Sequence, residues 1–247
     1  MLGSSQNIAM PNIVLNTAVA ESFRQFADEL EGAEDLRTAI AALLKKTFAE
    51  HRRIIFDGNG YSLEWEHEAE RRGLLNLKTS VAAFKRYNDE KNIKLFSDHG
   101  VMSATEINSR RGILFENYSK IVNIEALTMI EMVSRDIIPA VSAYIGELSS
   151  TMAARLAAVP EANSDVERDL ITKLSAMNAK AYAKLEELKS AEKLATSQEG
   201  YEAKAEVYES RVLPLMSELR TVVDALETMT ATEYWPLPTY GELMFCV

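Results

Sequence analysis

The stretch from Ser103 to Leu148 constrains the fold more than any other part of the chain. It opens with Ser103-Ala-Thr-Glu106. The Ser103 hydroxyl can accept from an orphan backbone N–H, and the Glu106 carboxylate can reach back to the cap, which is a capping box. From there the spacing predicts helix to Leu148. Leu114, Tyr118, Ile121, Glu125, Thr128 and Met132 form one stripe. Val122, Ala126, Met129 and Val133 form a second, and Leu127, Ile130, Ile138, Val141, Ile145 and Leu148 a third. A helix that is apolar on most faces is expected to be enclosed by other helices. Its polar residues Asn123, Glu125 and Glu131 then require partners other than water. They read as structural pairs that fix helix register. Glu131 and Arg135 stand in the favourable i,i+4 order, as a buried or half-buried pair.

The rest of the composition agrees with a helical chain. Gly (10) and Pro (6) are scarce in 247 residues, so turns are few and elements long. Ala, Leu, Glu, Lys, Met and Arg, the strong helix formers, dominate. The fold class is all-α: a helical bundle around one long buried helix. A net charge of −10 with no long basic tract excludes nucleic acid and anionic membrane surfaces as expected partners. The single cysteine, Cys246, leaves no intrachain disulfide partner and points to a reducing, cytoplasmic compartment. No signal peptide and no transmembrane run is visible.

Along the chain, Met1 to Pro11 reads as an irregular lead-in. Leu15, Val19, Phe23, Phe26 and Leu30 give the first helix its apolar face, and Gly32 stops it. A second helix is expected from Glu34 to Phe56, with Leu36, Ile40, Leu43, Leu44, Thr47, Phe48, His51 and Ile55 on its apolar side. Asp57-Gly58-Asn59-Gly60 marks a turn. Short helices are expected over Ser62–Gly73 and Thr79–Tyr87, joined by an extended Leu74–Lys78. Asn88–Gly100 is mixed and polar and carries no clear pattern.

Pro160 to Asn163 breaks the chain. Ser164-Asp-Val-Glu167 and Thr196-Ser-Gln-Glu199 read as two further capping boxes. The 4-3 rhythm of apolar residues after each predicts a long antiparallel hairpin over residues 164–230. Pro139 and Pro214 each remove a helical hydrogen bond and predict kinks. The tail from Tyr234 to Phe245, interrupted at Pro236 and Pro238, is the most aromatic stretch. It must pack, either back over its own helices or onto a neighbour.

No catalytic constellation emerges. Glu64-x-x-His67 has the spacing of a helical di-iron ligand pair, but such sites need a second copy and two further carboxylates. His51 reads as a boundary histidine. Gly58-Asn-Gly60 lacks the flanking strand and Lys-Ser/Thr of a phosphate loop. Lys45, Lys46, Arg52 and Arg53 read as a solvated basic face. The residues alone give a large helical domain with no catalytic, cofactor-binding or metal-binding residue to name.

Several strings, kept in order along the whole chain, resemble the C-terminal region of type III glutamine synthetase. They are Gly3-Ser-Ser-Gln-Asn-Ile-Ala-Met-Pro-Asn-Ile-Val-Leu-Asn-Thr-Ala-Val-Ala-Glu21, Asn59-Gly-Tyr-Ser62 with Trp65, and Glu68-Ala-Glu-Arg-Arg-Gly-Leu-Leu-Asn-Leu-Lys-Thr79. Asn117-Tyr, Asn123-Ile-Glu-Ala-Leu-Thr-Met129 and Tyr234-Trp-Pro-Leu-Pro-Thr-Tyr-Gly-Glu-Leu-Met-Phe245 complete the set.

The resemblance implies an ATP-dependent ligation of ammonia to glutamate in a complete enzyme. There, divalent metal holds the phosphates and arginines meet the acyl-phosphate. It implies that the catalytic core, with its metal glutamates, nucleotide site and arginine motif, precedes Met1. ATP and Mg are then expected for the complete enzyme and none in this chain. Residues 1–32 would be the last loop and helix of that core, with the Ser-rich start at the mouth of the glutamate site. Residues 33–247 would be the helical C-terminal domain, with tail 231–247. The implied partners are that core and neighbouring subunits of a homo-oligomer. The alternatives left open are a stand-alone helical interaction module derived from this domain, and a small helical enzyme, for which no convergent titratable set is present.

Overall fold

The computed structural model describes residues 7–245; the Ser-rich start and Cys246 lie outside the described residues. Among the described residues every regular element is helical and no strand occurs. The chain divides into two compact units, Met1–Ile113 and Leu114–Val247.

The first unit begins with α1 (Ala9–Leu30), whose first turn is closed by the Asn7 carboxamide accepting from the Ala9 N–H at 2.7 Å. It ends before Gly32, which takes φ +78°, a value that favours glycine. In α2 (Leu36–Glu50), Asp35 caps the N-terminus by accepting from the Arg37 and Thr38 N–H groups. The helix stops at Glu50 rather than continuing to Phe56; a short 3₁₀ turn over Arg52–Ile54 follows, and Ile55 is extended. The cause is local competition for carbonyls. The Arg72 guanidinium donates to the carbonyls of Arg53 and Ile55 at 3.2 and 3.0 Å, and Phe56 stacks on Trp65 with ring centroids 3.9 Å apart. That arrangement goes with backbone that leaves the α-helix, a 3₁₀ turn to Ile54 and an extended Ile55.

Next come α3 (Leu63–Arg71), capped by Ser62, and α4 (Ser80–Lys85), capped by Thr79, with an irregular 74–78 between them. The polar span that carried no pattern folds as α5 (Glu90–Asp98), whose Phe96 is buried. A small core of Phe96, Met102 and Ile107, packed by Met10, Ile13, Val14, Tyr87 and Ile93, holds this unit together.

The capping box at Ser103 forms: the Ser103 N–H donates to Glu106 at 2.7 Å and the Glu106 N–H to the Ser103 hydroxyl at 3.3 Å. It starts α6 (Ala104–Met132), which passes into the second unit. A π-helical turn at Val133–Ile137 joins it to α7 (Ile138–Ala158), so the helical run passes Leu148 and reaches Ala158. A second π turn, Tyr208–Val212, joins α9 (Tyr201–Val207) to α10 (Leu213–Glu227). Each π turn ends immediately before the residue preceding a proline. The Ile138 N–H bonds the Val133 carbonyl and the Leu213 N–H the Tyr208 carbonyl, both i→i−5. Proline has no N–H and crowds the carbonyl four residues back. One residue of widening removes that conflict without ending the helix.

The second unit's core joins Val122, Ala126, Val133, Ile137 and Val141 to Leu174, Ala181, Leu185 and Leu188 of α8 (Asp165–Thr196). Val212, Leu219, Val222 and Leu226 complete it. The α8/α9–α10 hairpin is therefore present, bridged by Lys184, which pairs with Glu187 and with Glu218 at 2.7 Å. The expected enclosure of the long helix is corrected. Its Val122/Ala126/Val133 stripe is buried, but Ile121, Ile124 and Leu127 are 48%, 64% and 47% exposed.

Two of the three expected capping boxes do not form. Glu167 is drawn instead to Arg155 at 2.6 Å, and Asn163 accepts the Asp165 N–H. Thr196 is the last residue of α8, not a cap; the chain turns at Gly200, φ +83°. The tail folds back over its own unit as far as Leu237. Trp235 is buried, Leu237 packs on the core, and Tyr234 meets Tyr144 with ring centroids 5.2 Å apart. A short helix, α11 (Tyr240–Met244), follows, and Leu243, Met244 and Phe245 are exposed.

Candidate functional site

The residues that sequence patterns single out for chemistry do not converge. Glu64 and His67 are exposed on α3, and two other acids of that helix are occupied: Glu66 by Lys78, and Glu68 by Arg71 and Arg72. Among the described residues no group of three or more His, Cys, Asp or Glu could hold a metal ion. His51 is the exposed cap residue of α2. The Asn59 side chain accepts the Tyr61 N–H and its carbonyl the Ser62 N–H, so the chain turns over 59–62. Lys46 pairs with Glu29 of α1, joining α1 to α2. His99 meets Glu21 at 2.8 Å, joining α5 to α1. Hydrogen bonds from Arg24, Gln25 and His99 hold the Glu21 carboxyl well below the usual carboxylate range. The Glu131–Arg135 pair forms at 2.8 Å but is exposed, with 63% and 75% of the side chains open. It is an intrahelical surface pair of small value and fixes no register. Glu125 is exposed as well.

What the first unit offers is a surface. On α1, Leu15, Val19 and Phe23 recur every four residues and are 63%, 52% and 68% exposed. On α2, Leu36, Ile40, Leu44 and Phe48 recur likewise, and all are exposed, Phe48 to 63%. These are the residues whose spacing predicts buried helix faces. The periodicity is right and the helices form, but the unit's own core does not reach these faces. Apolar faces of this kind mark interaction sites, whether for a polypeptide, a ligand or a membrane surface.

Comparison with known proteins decides the family. Residues 39–156 match the family model described as glutamine synthetase C-terminal domain. The chain is 33% identical over 261 aligned residues to a type-3 glutamine synthetase of Dictyostelium discoideum, an alignment that covers 99% of the chain and 34% of that protein. It is 38% identical over 216 residues to a glutamine synthetase of Butyrivibrio fibrisolvens, covering 86% and 30%. A glutamine synthetase of Bacteroides fragilis is 30% identical over 251 residues, covering 98% and 34%. The chain belongs to the type III glutamine synthetases. It spans about a third of the length of the curated relatives it matches, and that third is the C-terminal part of the glutamine synthetase.

Membership gives the open faces of α1 and α2 a context. In relatives of this length about two thirds of the polypeptide lies outside the matched region. Among the described residues no helix is long and apolar enough to cross a membrane.

Proposed function

We propose that this chain is the helical structural and assembly part of a glutamate–ammonia ligase, acting without an active site of its own. In the complete glutamine synthetase, glutamate is phosphorylated by ATP and ammonia displaces the phosphate. ATP and Mg belong to a catalytic core that this chain does not contain, and the site residues of that core are not among those present. The observation that carries this reading is the pair of open apolar faces on α1 and α2, matched to relatives three times as long. The core and neighbouring subunits of a cytoplasmic homo-oligomer are the partners proposed for those faces. The family model begins at residue 39, beyond α1. We assign residues 1–32 to the end of the catalytic core and residues 33–247 to the C-terminal domain, of which the family model covers residues 39–156.

The test is to co-express the chain with the remaining two thirds of the Butyrivibrio fibrisolvens glutamine synthetase and measure mass by light scattering after size exclusion. The expected result is one complex containing both polypeptides, and no glutamine from glutamate, ATP, magnesium and ammonia when the chain is alone. Separate elution, or glutamine formed by the chain alone, overturns the reading.

A further inference from the structure

The second unit carries an open groove that its own core does not fill. It runs between the stretch from Ile124 through the π turn to Ile137 and the α10 stretch from Met216 to Glu227. Its volume is about 520 Å³, and the side chains of Met129, Met132 and Met216 lie in it. Methionine is flexible and polarizable, so such a surface adapts to an apolar partner. Ile124, 64% exposed, stands in its wall. Ile121 and Leu127, one turn away on either side, extend the open apolar surface. The charged residues of the wall are Glu125, Arg220, Asp224 and Glu227, all exposed. Arg220 pairs with Asp224 at 3.3 Å. The rim is therefore acidic, with Glu125 on the α6 side and Glu227 on the α10 side.

Three apolar segments of the chain are themselves open, and charge distinguishes them as occupants. On α1 the face of Leu15, Val19 and Phe23 is accompanied by Glu21 and Arg24, and Arg24 already pairs with Glu21 and Asp28. Leu243, Met244 and Phe245 follow Glu242 and bring no cation. The α2 face is basic. Arg37 lies three and seven residues from Ile40 and Leu44, on their side of the helix, and Lys45 borders Leu44 and Phe48. Both cations are exposed, and the only acid within α2 is its last residue, Glu50. The lengths agree as well. From Leu36 to Phe48 the helix runs about 18 Å, and from Met216 to Glu227 about 17 Å, at the α-helical rise. An amphipathic helix laid in an apolar groove, with anchors every three or four residues, is a recurring mode of recognition.

We propose that α2 of one copy of this chain lies in the α6–α10 groove of a second copy. The Leu36–Phe48 face covers the methionines, and Arg37 and Lys45 meet the rim acids Glu125 and Glu227. This contact rests on the assembly reading above and divides it: the α2 face goes to a neighbouring copy, and the α1 face is left to the catalytic part. The two surfaces are different, so the contact is head-to-tail. Each docked copy keeps one groove or one α2 open for the next, and association passes beyond a dimer.

The test is sedimentation equilibrium on the intact chain without the catalytic part. The weight-average mass is expected to rise with concentration and to exceed that of a dimer. Arg37→Glu with Lys45→Glu weakens association by about tenfold or more, and Glu125→Lys with Glu227→Lys does the same, because each sets like charges against each other. All four side chains are exposed, so each double variant keeps the parent's melting temperature in dilute solution. Mixing the two variants restores association, since the acidic α2 of one meets the basic groove of the other and the two unchanged surfaces also match. A chain that stays monomeric up to about 1 mM, a mass that stops at the dimer, variants that associate as the parent does, or a mixture that fails to associate overturns the proposal. A monomeric chain that still co-elutes with the catalytic part removes this contact alone. An associating chain that does not co-elute removes the contact with the core and leaves this one standing.

Discussion

Short sequence strings are weak evidence for the hydrogen bonds they suggest, because each competes with partners that only the fold supplies. Of the three Ser/Thr-x-x-Glu strings read as capping boxes only Ser103–Glu106 closes into one, while Thr239–Glu242, which was not read as a box, forms one at the start of α11. At Ser164 the acid is taken by Arg155 from α7, and Thr196 still belongs to α8, so it caps nothing. Glu68 shows the opposite case, an acid whose neighbours in sequence do supply its partners. Hydrogen bonds from Arg71 and Arg72 push its carboxyl down to about 2. A carboxyl depressed in the fold stabilises it when ionised. Its contribution is complete above the ordinary value of 4.5 and is lost as pH falls from there through about 2. Glu68→Gln is expected to lower the melting temperature at neutral pH and to flatten the fall in stability between those two pH values. A mutant whose acid limb superimposes on the parent's would contradict this. Arg72 also bonds the 53 and 55 carbonyls and lies 5.3 Å from the Trp65 ring centroid, so the loss should extend to the 52–72 segment.

At the scale of elements the helices are legible because their patterns are long. The hairpin rhythm and the run from Ser103 appear where the spacing puts them, and only their ends and internal turns differ. α5 was not legible, since it contributes little more than Phe96 and Ile93 to a small core and is otherwise polar. The prolines were read as kinks, and the structure answers them with π turns, which no residue string signals directly. The π turn leads to a quantitative expectation. A proline in a regular helix interior costs about 3 kcal/mol. Here the preceding i→i−5 bond has already moved the backbone away from that conflict. Pro139→Ala is therefore expected to stabilise the chain by well under about 3 kcal/mol, measured by urea denaturation. A gain of the full amount would mean that the widened turn absorbs none of the strain.

For the whole molecule, periodicity shows that a helix has an apolar face but not whether the group covering it belongs to the same chain. The faces of α1 and α2 and the open side of α6 were expected to be buried for that reason, and they are exposed. Asn123 was read as one of the structural pairs of an enclosed helix, yet its side-chain oxygen is buried and accepts no hydrogen bond. The difference between covered and open faces can be measured on the chain alone. Leu185, 1% exposed in the α8 seam, should lose about 2–5 kcal/mol on change to alanine, through lost transfer energy and a cavity. Phe23→Asp and Leu44→Asp, at 68% and 46% exposure, remove apolar surface already facing solvent. They should leave the melting temperature of the isolated chain within a degree or two of the parent, about ±0.5 kcal/mol. They should also reduce binding of a hydrophobic dye, and Phe23→Asp should prevent co-elution with the catalytic part. If either aspartate lowers the melting temperature as far as Leu185→Ala does, the α1–α2 faces are covered within the chain, and the exposed surface cannot be the contact that joins it to the rest of the enzyme.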